Sequence, residues 1–271
     1  MMKNRCRSCA SGALSVDVIM RSRYNVRQDT EREKVIALAG NPNVGKTTVF
    51  NSLTGLRQHT GNWPGKTVTQ AQGRFLHRNQ PFLLVDLPGT YSLLAHSADE
   101  QVARDFICFG RPDATIVVID ATCLARNLNL ALQVMEITGK VVLCVNLIDE
   151  AECKGIRIDL DTLSQKLGVP VIGTAARSGR GLFELKEVLY GVAMGQIEPA
   201  PPPVKYDEEV QSAVDQLLPR LGPLLQGLPH LNPRWVAMRL LDGDDPFLDS
   251  LTECDCAFEM AAKGEMALCA Q

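Results

Sequence analysis

Short apolar runs alternate with helix-type patterns from Lys34 to about Ala193. Each run has the length of a buried β-strand, and the segments between them carry apolar residues at the spacing of one helix face. This alternation is typical of a mostly parallel sheet covered by helices on both sides, a doubly wound α/β fold. The predicted strands are Val35–Ala39, Thr67–Phe75, Phe82–Asp86, Thr115–Asp120, Val141–Asn146 and Val171–Thr174.

Helices are predicted between these strands. Ser97 and Glu100 have the spacing of a capping box, which predicts a helix that continues to about Phe109. Leu124–Thr138 ends before Gly139, a residue suited to the left-handed conformation that follows many helices. The remaining predicted helices are Thr48–Leu53, Asp159–Leu167 and Leu182–Val192.

A run of prolines at Glu198–Pro203 divides the chain, and we expect it to be a stiff, extended linker. We predict a basic, flexible tail at residues 1–33, a nucleotide-binding domain at 34–196, a linker at 197–204 and a small all-α helical domain at 205–271. The last unit is too small for much independent stability, so it is expected to dock on the first. Its predicted helices are Asp207–Leu221, Asn232–Leu241 and Phe247–Ala262.

The tail shows no sustained periodicity, which favours a solvated segment; a segment resting on an anionic membrane surface is the alternative. Of the 271 residues, 45% are hydrophobic and 22% are charged, with a net charge of -3. This composition is ordinary for a soluble globular protein and gives no electrostatic reason to expect nucleic acid as a partner. No apolar stretch approaches the ~18 residues that cross a bilayer. We therefore expect this chain alone to be soluble and cytoplasmic.

Nine cysteines are scattered along the chain, which favours a reducing cytosol over a disulfide framework. Cys108, Cys123 and Cys144 lie in apolar segments and are expected to act as small core residues. The pairs Cys6–Cys9 and Cys254–Cys256 are interpreted as incidental thiols. A metal site shared by these pairs is the alternative, although C-x-C spacing suits zinc poorly.

A phosphate-binding loop, Gly40–Thr47 (GNPNVGKT), directly follows the first predicted strand. Gly40 and Gly45 allow the backbone to fold back, so that several N–H groups converge on a β-phosphate. Lys46 supplies a positive charge for the β- and γ-phosphates, and the Thr47 hydroxyl is placed to bind Mg²⁺. The helix that follows adds its positive dipole end to the same anion.

Two further motifs end apolar strands. In Asp86–Gly89 (DLPG), the aspartate is expected to reach the Mg²⁺ shell through water, and Gly89 offers its N–H to the γ-phosphate. In Asn146–Asp149 (NLID), Asp149 is expected to accept N1–H and N2–H of guanine while Asn146 braces the loop. Adenine presents neither donor in this arrangement, so the second motif favours guanine.

Two loops complete the predicted site. Thr174-Ala175-Ala176 follows the last strand, where a backbone N–H, that of Ala176, is expected to meet the guanine O6. Thr67 follows the turn-rich stretch His59–Gly65. Its hydroxyl is expected to join the Mg²⁺ shell only when the γ-phosphate orders the loop, as in the switch of a GTPase.

Three segments resemble one family: Gly40–Phe50 (GNPNVGKTTVF), Gly61–Val68 (GNWPGKTV) and Asp86–Leu93 (DLPGTYSL). They are similar to the N-terminal GTPase of the ferrous iron transporter B (FeoB) family, and the later helical unit resembles that family's helical domain. The resemblance implies a P-loop GTPase that serves as the regulatory head of a Fe²⁺ transporter, at the cytoplasmic face of the bacterial inner membrane. The implied partners are a multi-spanning permease and small accessory proteins of iron uptake, without nucleic acid; homo-oligomerisation stays open.

The resemblance also implies roles for individual residues. Catalytic roles fall to Lys46, Thr67, Gly89 and Asn43, and Mg²⁺ would be held by Thr47, Thr67 and Asp86. A K⁺ ion would be held by Asn43 and the carbonyls of Gly61 and Trp63, in the role that an arginine finger plays elsewhere. The residues implied to bind GTP or GDP are Gly40, Asn41, Pro42, Asn43, Val44, Gly45, Lys46, Thr47, Thr48, Gly65, Lys66, Thr67, Asp86, Leu87, Pro88, Gly89, Asn146, Leu147, Asp149, Thr174, Ala175 and Ala176.

Two positions bear on turnover. The family's usual serine in the last guanine motif is Ala175 here, and Thr90 stands where Ras-like enzymes have a water-orienting glutamine. We expect slow hydrolysis, with water held by backbone groups. Trp63 is expected to be either a packing anchor or a lid over the nucleotide.

Two other functions stay open at this point. The first is a soluble ribosome-associated or RNA-modification GTPase, which would need a basic RNA-binding module, whereas Asp242–Asp245 is acidic. The second is a nucleotide-dependent interaction module without enzymatic activity.

Overall fold

Seven strands form one sheet that is parallel except at one edge. The computed structural model describes residues 16–30, 32–55, 58–94, 97–225, 228, 231–244 and 246–252. The strand order in space is β2-β3-β4-β1-β5-β6-β7, with β2 and β3 antiparallel to their neighbours. The strands are β1 (Lys34–Gly40), β2 (Gln58–Asn62), β3 (Thr69–His77), β4 (Gln80–Asp86), β5 (Ala114–Asp120), β6 (Val141–Asn146) and β7 (Val171–Gly173).

Helices cover both faces of this sheet. In the central strand β1, Val35 and Ala37 belong to one hydrophobic core, and Ile36 and Leu38 belong to the other. The predicted doubly wound α/β fold with a helical appendage is therefore confirmed. The helices are α1 (Val16–Ser22), α2 (Lys46–Thr54), α3 (Ala98–Phe109), α4 (Leu124–Ile137), α5 (Ile148–Cys153), α6 (Leu160–Leu167), α7 (Leu182–Ala193), α8 (Glu208–Leu224) and α9 (Pro233–Asp242).

The edge of the sheet differs from the sequence prediction. Strand β2 overlaps the stretch His59–Gly65, which was expected to be turn, and β3 begins at Thr69 rather than at Thr67. Gly61 pairs with Gln70 and Asn62 pairs with Thr69, so β2 exists because β3 offers it a hydrogen-bonding partner. Pairing between strands overrides local preference, which is weak for a segment of this composition.

Residues 16–30, 32 and 33 differ from the expected solvated tail. Val16–Ser22 is helical, and Met20 and Val26 are 2% and 4% exposed because they pack into the core. Arg21 is also buried and forms an ion pair with Asp113 at 2.9 Å. A few apolar side chains were enough to attach this segment to the sheet. Residues 1–15, including the first cysteine pair, lie outside the described residues.

The helical unit packs against α3 and α4. Phe247 is fully buried, with its ring centroid 5.8 Å from that of Phe109 and 4.9 Å from that of Trp235. Residues 246–252 are helical, and the rest of the predicted helix Phe247–Ala262 lies outside the described residues, as do Cys254 and Cys256. The linker is extended and also attached, because Ala200 N donates to Gly168 O at 2.8 Å.

The described cysteines divide into two kinds, and none is in a disulfide. Cys108 and Cys144 are buried as expected, and burial raises the pKa of the Cys144 thiol to about 12. Cys123 was expected in the core but is exposed, because it occupies the N-cap of α4. Within the described part of the chain, no helix is both long and apolar enough to cross a membrane.

Candidate nucleotide-binding site

The candidate site lies at the carboxyl ends of the parallel strands. The loops after β1, β4, β6 and β7 meet there, at the edge where doubly wound sheets bind ligands. In the phosphate-binding loop, Asn43 and Gly45 have positive φ angles of 66° and 79°, and α2 begins at the next residue, Lys46. The turn therefore leaves the N-terminus of a nine-residue helix facing the site.

The two predicted loop glycines are required by close approaches. A Cβ at Gly45 would lie 2.4 Å from Asn146 Nδ2, and one at Gly40 would lie 2.7 Å from the carbonyl oxygen of Val118. At Gly45 the left-handed backbone adds a second reason for glycine. Thr47 and Thr48 follow in the first turn of α2 with their side chains exposed.

Lys46 and Asp86 form an ion pair inside the site. The Lys46 ammonium contacts the Asp86 carboxylate and donates to Leu87 O at 2.6 Å. Both side chains are mostly buried, with 12% and 20% exposed. Burial raises the pKa of Asp86, and the neighbouring Lys46 charge partly offsets that rise. The register that pairs Leu38 with Asp86 brings the β4 carboxylate beside the loop after β1.

The loop after β4 rests on the phosphate-binding loop. A Cβ at Gly89 would lie 3.4 Å from the Cα of Pro42, and Thr90 N donates to Gly40 O at 3.3 Å. Thr90 is 5% exposed. Sequence reasoning treated Thr90 only as a substitute for glutamine and missed this backbone contact, for which no motif gives a signal.

Asn146 joins the phosphate loop to the guanine loops. Its Nδ2 donates to Val44 O at 3.1 Å, and its Oδ1 accepts from Thr174 Oγ1 and Ala176 N, each at 3.1 Å. The bracing role predicted for Asn146 is therefore present in the geometry. Asn146 and Thr174 are 1% and 0% exposed, so these bonds lie away from solvent.

The predicted contact between Ala176 N and guanine O6 needs revision. Ala176 N already donates to Asn146 Oδ1, and Ala175 N donates to Arg180 O at 3.1 Å. A bond from Ala176 to O6 would have to be shared, and the next N–H along the loop is that of Arg177. The Asn146 side-chain amide is fixed by its bond to Val44 O, and in that orientation its Oδ1 accepts from Ala176 N.

Asp149 lies in the first turn of α5 with an exposed side chain. Leu147, at the N-cap of α5, has a left-handed φ of 62°, and the following amide, Ile148 N, donates to Thr174 O at 3.1 Å. The turn holds the Asp149 carboxylate at the mouth of the site. One turn later, Glu152 forms a two-bond ion pair with Arg180, each bond 2.8 Å. Sequence reasoning missed this pair.

The first switch, residues 58–68, begins with β2 at the edge of the sheet. Strand β2 is separated from β1 by β3 and β4, which at a strand spacing of ~4.8 Å is roughly 14 Å. Thr67 is exposed, and among the described residues no hydrogen bond joins it to Lys46 or Asp86. Lys66 instead donates to Gln101 Oε1 at 3.1 Å. Among the described residues no hydrogen bond joins Gly65, Lys66 or Thr67 to Lys46 or Asp86, although Thr67 lies two residues before β3, whose Ala71 pairs with Asp86.

The three candidate K⁺ residues are not brought together either. Gly61 lies in β2 at the sheet edge, whereas Asn43 is exposed in the loop after β1. The Trp63 carbonyl accepts from Lys66 N at 3.1 Å, and its ring is 2% exposed. Of the two interpretations of Trp63, this arrangement is that of a packing anchor. The residues do not fit a K⁺ site in this conformation.

Oxygen donors suited to Mg²⁺ do lie at the site. Mg²⁺ usually takes one or two protein oxygens together with phosphate oxygens and water. The Thr47 hydroxyl is exposed at the start of α2. The Asp86 carboxylate contacts Lys46, the residue before Thr47. These two residues fit the cation.

The fold and the site define a class of protein. A mostly parallel sheet with a phosphate loop after β1, an aspartate at the end of β4 and a guanine-type N-x-x-D after β6 is a P-loop protein of the GTPase fold.

Comparison with known proteins gives the family. The chain matches the family described as ferrous iron transport protein B over residues 34–189 and the FeoB cytosolic helical domain over residues 206–267. The chain belongs to the FeoB family. The helical-domain match supports this assignment over an RNA-modification or ribosome-associated GTPase.

Curated relatives are much longer than this chain. The Fe(2+) transporter FeoB of Salmonella typhimurium is 40% identical over 218 residues, covering 79% of this chain and 27% of the relative. An Fe(2+) transport protein A/Fe(2+) transporter FeoB fusion protein of Porphyromonas gingivalis is 39% identical over 212 residues, covering 77% and 25%. The chain thus spans about a quarter of these relatives.

Solved structures share the whole architecture. The cytosolic domain of the T. maritima FeoB iron transporter in apo form has a TM-score of 0.73 and 39% identity, covering 82% of this chain and 86% of that one. The GMPPNP form of the same domain has a TM-score of 0.72 and 33% identity, covering 85% and 98%. The cytosolic domain of L. pneumophila FeoB has a TM-score of 0.69 and 34% identity, covering 85% and 96%.

Proposed function

We propose that this chain binds GTP and GDP and slowly hydrolyses GTP as the regulatory head of a Fe²⁺ membrane transporter. The observation that carries the proposal is the set of bonds made by Asn146, which holds the phosphate loop and the guanine loops as one unit. The permease portion and small accessory proteins of iron uptake would be the partners, at the cytoplasmic face of the membrane. Movements of the first switch and of a second switch, which would begin at Asp86 and Gly89, would couple hydrolysis to iron uptake.

The relatives support this proposal. Those described above are named Fe(2+) transporters or a fusion that contains one, and the T. maritima cytosolic domain has GDP and GMPPNP forms. The match to these structures covers the G domain and the helical unit of this chain. Because the same loops occur here, binding of guanine nucleotides follows for this chain as a proposal.

Lys46 and Asp86 would exchange partners when the nucleotide enters. Lys46 now neutralises Asp86, and a phosphate would compete for the same ammonium. Asp86 would then turn towards a Mg²⁺ ion held with Thr47. When bound, that ion would neutralise negative charge that develops on the phosphate oxygens. The chain's own contribution is to hold the phosphates with Lys46 and the backbone N–H groups of the loop.

Hydrolysis would proceed by in-line attack of water on the γ-phosphorus, which breaks the bond to the β-phosphate oxygen and leaves GDP. Gly89 N–H and the Thr67 hydroxyl would orient the γ-phosphate. Thr90 is buried with its N–H on Gly40 O, so it offers no side-chain base to the water. Turnover is therefore expected to be slow.

Calorimetry with Mg²⁺ tests nucleotide choice. The parent protein should bind GDP and a non-hydrolysable GTP analogue and should bind ADP far more weakly. Asp149→Ala should remove most of that preference, while Lys46→Ala should weaken both guanine nucleotides. Equal affinity for GDP and ADP in the parent, or an intact preference in Asp149→Ala, would contradict the proposal.

Single-turnover hydrolysis tests the enzymatic step and the ion. The parent should release phosphate slowly, and a rate near zero would favour an interaction module without enzymatic activity. Stimulation by K⁺ over Na⁺ stays a prediction. It requires the first switch to leave its strand so that the carbonyls of Gly61 and Trp63 approach Asn43.

A further inference from the structure

Residues 16–30, 32 and 33 form a segment that we call the strap, which lies against one face of the antiparallel part of the sheet. The match to the FeoB G domain begins at residue 34, so this segment is not part of it. The strap joins parts of the molecule that the proposed mechanism keeps separate. One side of it contacts the rigid sheet, and the other side contacts the first switch.

Two consecutive strap residues contact the first switch. The Tyr24 ring lies edge-on to Trp63, with centroids 6.4 Å apart, and edge-on to Phe106 at 5.6 Å. Asn25 Nδ2 donates to Asn62 O, the carbonyl that ends β2, at 3.3 Å. Trp63 and Phe106 also contact each other at 5.4 Å, so the three rings form one cluster.

The same two residues are fixed from the sheet side. Gln70 Nε2 donates to Tyr24 O at 2.9 Å, and Gln72 Nε2 donates to Asn25 O at 2.8 Å. Gln70 is 2% exposed, so its amide has been taken out of water to make this bond. Strand β3 therefore positions the strap backbone, and the strap side chains reach β2.

Both ends of the strap are held independently of the switch. At one end, Arg21 donates to Arg111 O at 2.6 Å and pairs with Asp113 at 2.9 Å. At the other end, Arg74 Nε donates to Glu33 at 2.9 Å, and Glu33 is 3% exposed. A segment anchored at both ends supplies a fixed support for whatever its middle touches.

We propose that Tyr24 and Asn25 are positioning residues that hold the first switch, residues 58–68, in its strand-paired conformation. In that conformation Thr67 is exposed, and among the described residues no hydrogen bond joins it to Lys46 or Asp86, so the switch has to move before Thr67 can bind a γ-phosphate. Contacts present in only one of two conformations shift the balance towards it. The strap therefore favours the diphosphate state and opposes the triphosphate state. This inference rests on the proposed GTPase function.

Two variants remove these contacts in the full chain. Tyr24→Ala removes the ring that supports Trp63. Asn25→Gly removes the bond to Asn62 O and keeps the backbone relaxed, because Asn25 has a φ of 55°. Each variant should raise the affinity for a non-hydrolysable GTP analogue relative to GDP. We expect an increase of about 3- to 10-fold for Tyr24→Ala and a smaller increase for Asn25→Gly. Single-turnover hydrolysis should become faster by a similar factor.

Asp17→Asn serves as the matched control. Asp17 pairs with Arg111 at 2.8 Å on the strap but away from the switch. This variant should leave the affinity ratio and the hydrolysis rate at the parent values. A strap that served only general stability would lower the unfolding temperature in all three variants and would not move the ratio in any of them.

Trp63 fluorescence gives a direct readout of the switch. The chain has two tryptophans, and a Trp235→Phe background leaves Trp63 as the only one. The GTP analogue should shift Trp63 emission to the red, and Tyr24→Ala should move the midpoint of that shift to a lower analogue concentration. An unchanged ratio and midpoint in Tyr24→Ala and Asn25→Gly, in a parent that binds and hydrolyses GTP, would overturn this inference alone. A parent without guanine binding would overturn the proposed function as well.

Discussion

Asn146 is the side chain on which the order of the site most depends. It is 1% exposed and bonds to the phosphate loop through Val44 and to the last guanine loop through Thr174 and Ala176. Asp149, three residues later, is exposed in the first turn of α5. Two residues of the same short motif therefore do different work. Asn146 organises the loops, and Asp149 would select the base under the proposed function.

Alanine substitution should separate these two roles. Asn146→Ala leaves several buried polar groups without partners, so it should lower the free energy of unfolding by about 2–4 kcal/mol and weaken GDP binding. Asp149→Ala should change the free energy of unfolding by less than about 0.5 kcal/mol, because it is on the surface, and should reduce the preference for guanine. Urea unfolding and calorimetry on both variants measure this. Equal destabilisation by the two would contradict the distinction.

The Glu152–Arg180 ion pair ties the two guanine loops together. Glu152 is in α5 with Asp149, and Arg180 pairs through its backbone with Ala175. Hydrogen bonding to Arg180 lowers the pKa of Glu152. The pair is exposed and screened by salt, so its effect should be small.

Glu152→Gln and Arg180→Gln should each speed GDP release by about 2- to 4-fold at low ionic strength and by less at high salt. The charge-reversed double variant, Glu152→Arg with Arg180→Glu, should restore most of the parent rate. Release of a fluorescent GDP analogue measures these rates. If the effects of the two changes on the GDP release rate simply added in the double variant, the two residues would not act as a pair.

At the scale of elements, α3 contacts both the first switch and the helical unit. Phe106 packs on Trp63, and Phe109, one turn further along, stacks on Phe247 at 5.8 Å. Ser250 donates to Asp105 Oδ2 at 3.3 Å from the helical side. A change at the switch therefore has a continuous packed route to the helical unit.

Hydrogen exchange tests whether this route is used. Exchange in α3 and in residues 246–252 should differ between the GDP-bound and analogue-bound protein, because Trp63 would leave Phe106 in the second state. Exchange in α6, which lies at the opposite end of the sheet beside β7, should stay the same in both. Identical exchange in α3 and residues 246–252 for the two nucleotides would contradict coupling through this helix.

The parts of the site that depend on local sequence could be predicted, and the parts that depend on pairing could not. The phosphate loop has its own strand, turn and helix, so Lys46 was assigned from neighbouring residues alone. Strand β2 forms because it pairs with β3, with Gly61 opposite Gln70, and no pattern within His59–Gly65 indicates that partner. The strap likewise depends on glutamines of β3 that are far away in the sequence.

At the scale of the whole molecule, a buried ion pair joins the G domain to the helical unit. Arg104 is fully buried in α3 and donates to both carboxylate oxygens of Asp244, at 3.0 and 2.8 Å. Its guanidinium also lies over the Phe247 ring at 5.5 Å. A buried guanidinium is costly unless a carboxylate pairs with it, so Arg104 requires Asp244. The contact between the two units is therefore specific.

Arg104→Met should weaken the attachment of the helical unit, because Asp244 would keep only its longer contact with Arg239, at 4.0 Å. We expect a loss of about 3 kcal/mol in the free energy of unfolding, with faster hydrogen exchange in α8 and α9. Glu187→Gln, which breaks the more exposed contact with Arg78, is the control and should change little. Urea unfolding and exchange measure both variants. Unchanged exchange in α8 and α9 would show that other contacts carry the attachment.

The strap has a practical consequence for anyone who shortens this protein. A version that starts at Lys34, where the family match begins, would strip the cover from Gln70 and from the Trp63 ring. A buried amide that loses its acceptor costs about 1–3 kcal/mol, and the edge strand would gain freedom that it lacks in the natural chain. Nucleotide affinities measured on such a trimmed protein would describe a looser molecule than the one that the sequence encodes.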